Sequence, residues 1–73
     1  MIKGYYERIA RFLRHYVGTP TGAPILADPG CIRSAIGVLL RRGWTREQIM
    51  REALRQQDVI IRDDLFPEEV RND

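Results

Sequence analysis

The chain has 73 residues, a hydrophobic share of 44%, a charged share of 30% and a formal net charge of +2. A domain of this size buries only about 60% of the surface that its unfolded chain exposes, which leaves one marginal core and no room for a second. The composition is that of a folding chain, while one cysteine and one histidine exclude an internal disulfide, a paired-cysteine metal site and paired-histidine zinc chemistry.

The first predicted element is an amphipathic helix over about residues 3–17. Ile2, Tyr5, Tyr6, Ile9, Phe12, Leu13, Tyr16 and Val17 recur at spacings of three and four, which puts them on one stripe. Lys3, Glu7, Arg8, Arg11, Arg14 and His15 fall on the other side. Glu7 and Arg11 are four apart, so an ion pair between them is expected, worth a few tenths of a kcal/mol. Gly18 is a stop signal, and Pro20 lies just beyond it.

Residues 18–30 hold three prolines and three glycines and read as a loop partly fixed by proline, with Ile25 and Leu26 pinning its far end to the core. A second helix over about residues 29–42 starts at Asp28 as cap and Pro29 in the first helical position. Its apolar stripe is Ile32, Ala35, Ile36, Leu39 and Leu40, and Gly43 is the stop. The third helix is expected over about residues 45–57. Thr45 and Gln48 have the spacing of a capping box, and Trp44 is set to pack on Ile49 as a staple. Ile49, Met50, Ala53 and Leu54 supply its stripe. The second and third helices thus form a helix-turn-helix hairpin.

Beyond Gln57 two readings stay open. Asp58-Val-Ile-Ile-Arg suits a short strand or extended segment near 59–61, since three β-branched residues favour extension. Leu54, Ile61 and Leu65 also keep helical period, which would carry one helix to about residue 65. A break near Asp58 is the preferred reading, with a helical turn at Pro67–Val70. The expected fold is therefore mainly α: a small three-helix domain over 1–57, with 58–73 an acidic segment and not a domain of its own. Ile9, Phe12, Leu13, Ile36, Leu39, Leu40, Ile49 and Leu54 are the expected core, with Trp44 at least half buried.

Charge is divided along the chain. Residues 1–46 carry eight basic and two acidic groups, whereas residues 47–73 carry four basic and eight acidic ones. Such polarity suits either a charged partner or internal neutralisation, with the acidic end folded back on the basic part. No apolar run approaches the ~18 residues of a membrane span, and the first residues lack the apolar stretch of a signal peptide. An intracellular protein is expected.

No catalytic constellation is legible. His15 and Cys31 lie in different elements and read as a solvated residue near a helix end and a small packing residue. Asp63-Asp64 and Glu68-Glu69 read as solvated acids. Neither a dinucleotide fingerprint nor a phosphate loop is present. No enzyme activity, cofactor or metal is expected.

Two surfaces remain. The first is the ridge of Arg8, Arg11 and Arg14, with Lys3, Tyr6 and Glu7 beside it, of the arginine and tyrosine composition that protein interfaces favour. With Arg11 held by Glu7, Arg8 and Arg14 are expected to be the freer pair. The second is Arg41, Arg42 and Arg46 around the helical turn. Two helices joined by such a turn can read DNA, but Glu47 and Glu52 on the would-be reading helix oppose phosphate. DNA binding is the alternative, as is inhibition of another host or defence protein.

The run Tyr5-Tyr6-Glu7-Arg8, the turn Gly43-Trp44-Thr45 and the acidic Asp63–Asp73 end, at this chain length, resemble the small antiterminators of phages, the family known from a lytic Xanthomonas phage. The likeness spans the whole chain. It implies a regulator that binds host RNA polymerase on the amino-terminal part of the β′ subunit, near the RNA exit channel and the nascent transcript. There it would hinder σ-dependent initiation and promote read-through of terminators.

Overall fold

The computed structural model describes residues 4–17 and 25–67, and among them the chain is helical with no strand. The helices are α1 (Tyr5–Val17), α2 (Pro29–Arg41) and α3 (Arg46–Gln57), followed by one 3-10 turn at Asp63–Leu65. Each lies within a residue or two of its sequence-based range. Ile2, Lys3, the stop signals Gly18 and Pro20, and residues 68–70 of the predicted last turn lie outside the described residues.

The helix ends are set by local chemistry. The Asp28 carboxylate accepts from the backbone N–H of Gly30 and Cys31 at 2.9 and 3.1 Å, ahead of Pro29. Thr45 Oγ1 accepts from the Gln48 N–H at 3.0 Å, a cap whose loss costs about 1 kcal/mol. Between these helices Gly43 sits at φ +100°, which a side chain would resist. That conformation lets Gly43 donate to the Leu40 carbonyl and Trp44 to that of Leu39, closing α2 with two of its last carbonyls satisfied. The hairpin is thereby fixed.

α1 packs against both α2 and α3, and the 3-10 turn packs against α2. Phe12, Ile9, Leu13, Ile32, Ile36, Leu39 and Ile49 are fully buried. Each contributes about 1.5–3 kcal/mol against being left in water. Tyr16 is edge-on to both Phe12 and Trp44, at 5.3 and 4.9 Å between ring centres, and its hydroxyl is bonded by the Gln56 amide. Trp44 is more than half buried, and the ring it meets is that of Tyr16.

Of the pair expected to pin the loop, Ile25 is buried but Leu26 is 57% exposed, and two residues of the expected core are not buried either. Leu54 is 47% exposed and Leu40 only partly covered. On α3 the inward stripe runs through Ile49, Ala53 and Gln56, and Leu54 stands about 100° round the helix from Ala53. The apolar complement comes instead from the acidic segment. Val59, Ile61, Leu65 and Phe66 join the same core, with Ile61 and Leu65 fully buried.

The helix does not continue past Gln57. Asp58 takes a left-handed conformation (φ 53°, ψ 45°) and its N–H donates to Leu54, which turns the chain out of α3. Residues 59–61 then show strand-like alternation without a neighbouring strand: Val59 and Ile61 point in, Ile60 points out. The Tyr5 hydroxyl takes the neighbour's place, donating to the Ile60 carbonyl at 2.8 Å and accepting from the Arg62 N–H at 2.9 Å.

Candidate interaction surface

The amphipathic pattern of α1 turns Glu7, Arg8, Arg11, Arg14 and His15 outward, and all five are exposed. The expected pairing among them is not the one found. Arg14 donates from Nε and a terminal nitrogen to the Ile25 carbonyl at 3.0 and 2.7 Å. Its other terminal nitrogen reaches Glu7 at 3.3 Å. With its head fixed on the loop, Arg14 lies over the Glu7 carboxylate two turns back, and Glu7 pairs with it and not with Arg11. Arg14 is therefore a loop clamp and not a free group. The side chains of Arg8 and Arg11 make no hydrogen bond or ion pair among the described residues, so they are the freer pair.

A second feature forms where α1 begins. The Tyr5 and Tyr6 rings stand edge to face at 5.2 Å. The Arg62 guanidinium lies over both, 5.3 and 5.6 Å from their centres, and donates to the Tyr6 hydroxyl at 2.6 Å. Asp64 completes the cluster at 3.2 Å from Arg62 Nε. Burial is the largest single influence on Arg62 and lowers its pKa. The Tyr6 bond, the Asp64 charge and the two tyrosine hydroxyls oppose it, and the guanidinium is held above its ordinary value. Ile60, 67% exposed, sits on the segment that Tyr5 bonds. Tyr6 of the predicted ridge thus belongs to a corner whose other half, Ile60 and Arg62, the ridge reading missed. Nothing local to residues 60–62 signals it, because the partners lie 55 to 57 residues away.

The arginines around the helical turn divide. Arg42 donates to the Tyr16 carbonyl at 3.2 Å. Arg46 is paired with Asp63 at 2.8 Å and lies 4.5 Å over the Phe66 ring. Arg33 donates twice to the Asp64 carbonyl, at 3.1 and 3.2 Å. Arg41 makes no such bond among the described residues; its guanidinium lies beside Gly37. The start of the acidic segment therefore folds back on the basic half, with Asp63 pairing Arg46, and two of the three arginines that the DNA-binding alternative would use are engaged by the protein itself.

His15 is exposed and stands edge-on to Tyr16 at 4.9 Å. Cys31 is partly buried, its Sγ accepting from the Leu26 N–H at 3.1 Å. Among the described residues, no three acidic, histidine or cysteine side chains converge as metal ligands, and no helix is long and apolar enough to cross a membrane. No protein-family model, curated protein or solved structure matches the chain.

Proposed function

We propose that this chain is a small, non-enzymatic, phage-type regulator that binds bacterial RNA polymerase. In this reading it docks on the amino-terminal region of the β′ subunit near the RNA exit channel. It hinders σ-dependent initiation and favours antitermination, working in the bacterial cytoplasm. The observation that carries it is the outer face of α1, where Arg8 and Arg11 are exposed and unengaged among the described residues while Arg14, Arg42 and Arg46 are spent on the fold. The likeness of Tyr5-Tyr6-Glu7-Arg8 and Gly43-Trp44-Thr45 to the phage antiterminators supplies the partner.

An 8.5 kDa protein acts on a large enzyme by binding one of its states more tightly than another. Two free guanidinium groups on a rigid helix suit an acidic patch, and their long-range attraction speeds encounter. The test is titration of purified polymerase core enzyme with the protein and with an Arg8→Glu/Arg11→Glu double variant. Circular dichroism serves as the folding control. The double variant should bind more than about tenfold more weakly and remain folded, since exposed charges contribute little to stability. Wild-type affinity in the folded variant refutes this face as the interface.

A further inference from the structure

We propose that Ile60, held outward by the Tyr5–Arg62 clasp, is the apolar anchor of this interface, and that its occupant is a protein surface presenting an apolar pocket rimmed by carboxylates rather than RNA. The proposal rests on the polymerase-binding reading and names the chemistry of the partner site.

Single exposed hydrophobes are common on folded proteins and by themselves signify little. Ile60 differs in how it is held. Its neighbours Val59 and Ile61 are buried, so the segment cannot rotate to turn Ile60 inward without expelling both. The Tyr5 hydroxyl bonds the Ile60 carbonyl and the Arg62 N–H, on either side of the buried Ile61, and so holds Ile61 in and its neighbour Ile60 out. A β-branched side chain on such a fixed backbone has little rotamer freedom to lose, so burying it on a partner costs little entropy. It is a preorganised knob.

The surroundings select the class of partner. A single-stranded RNA would use the tyrosine faces for stacking and the hydroxyls for hydrogen bonds. Here the Arg62 guanidinium lies over a face of each ring, the Tyr5 hydroxyl is bonded twice and the Tyr6 hydroxyl is bonded to Arg62. What the corner leaves open is aliphatic: Ile60, 67% exposed. Along α1 from Tyr5, Arg8 stands just under one turn on and Arg11 nearly two, both side chains exposed and unengaged among the described residues. An aliphatic knob clasped by the same helix that displays two free cations complements an apolar pocket with acidic rims, the arrangement in which a central anchor carries most of the binding energy.

The experiment titrates polymerase core enzyme, and separately a mixed-sequence single-stranded RNA, with wild-type protein, Ile60→Ala and Ile60→Asp at low and high salt. Both variants should keep the wild-type melting temperature, because the side chain is exposed. Ile60→Asp should bind polymerase at least about tenfold more weakly, and Ile60→Ala several-fold more weakly, by the same factor at both salt concentrations. RNA should bind weakly and be indifferent to residue 60. Polymerase affinity unchanged in folded Ile60→Asp overturns the anchor and leaves the polymerase reading standing. RNA binding tighter than polymerase binding overturns the choice of occupant. Failure of the wild-type protein to bind polymerase overturns both readings together.

Discussion

Arg14 and Ile25 are joined by two hydrogen bonds from one guanidinium to one carbonyl, at 3.0 and 2.7 Å, and this pair ties the far end of the proline-rich loop to the outer face of α1. A charge-assisted, two-pronged bond at a partly covered site is worth more than an isolated surface ion pair. Arg14→Ala should therefore lower stability by about 1–2 kcal/mol, while Arg11→Ala should stay within about 0.5 kcal/mol of wild type. Urea unfolding of the two variants checks this. Equal effects would remove the distinction between clamp and free cation.

Asp58 ends α3 in a left-handed conformation at φ 53°, which glycine accepts at no steric cost and aspartate does not. Its negative charge also faces the negative end of the helix dipole. Asp58→Gly should raise stability by about 1 kcal/mol through both effects, read as a higher urea midpoint with unchanged slope. A lower midpoint would mean that the Asp58 side chain contributes something the backbone geometry does not require.

Gly37 is buried in the middle of α2, where glycine is a poor helix former. A Cβ built there meets Pro67 Cγ at 3.6 Å and an Arg41 terminal nitrogen at 3.7 Å, both ordinary contacts. Gly37→Ala should stabilise by about 0.5–1 kcal/mol, measurable as a rise in melting temperature. A loss would show that the contact with Pro67 tolerates no methyl group.

The Glu52 carboxyl is held below its ordinary value, first by the hydrogen bond from Arg55 and then by that from Gln56. The folded state therefore keeps this group ionised to lower pH than the unfolded chain does. Its stabilising contribution is complete above the unfolded carboxyl range and is lost as pH falls through the lower folded value. Glu52→Gln should be less stable than wild type at about pH 6, with the gap closing by about pH 3. Thermal melts across that range decide it; a gap independent of pH would assign the effect to packing.

The sequence by itself determined the three helices, because their signals act over a few residues. The apolar spacing of Ile9, Phe12 and Leu13, the Asp28 and Thr45 caps and the left-handed Gly43 all operate within one or two turns, and all are present in the fold. The exit from α3 was legible only as a choice. Leu54, Ile61 and Leu65 share helical period, yet Leu54 is exposed and Ile61 arrives on an extended segment. Periodicity says which residues share a face if the helix continues, but not whether it does.

Only the tertiary structure decided which arginines are free. A guanidinium sits at the end of a long stem and settles on whichever acceptor the packing brings within reach. For Arg33, Arg42, Arg46 and Arg62 that acceptor lies 31, 26, 17 and 56 residues away. The same holds for Ile60, whose outward hold comes from a tyrosine hydroxyl 55 residues earlier in the chain. Helix spacing placed Arg8, Arg11 and Arg14 on one ridge and assigned Glu7 to Arg11, and it was the Ile25 carbonyl that fixed Arg14, drew Glu7 to it and left Arg8 and Arg11 for a partner.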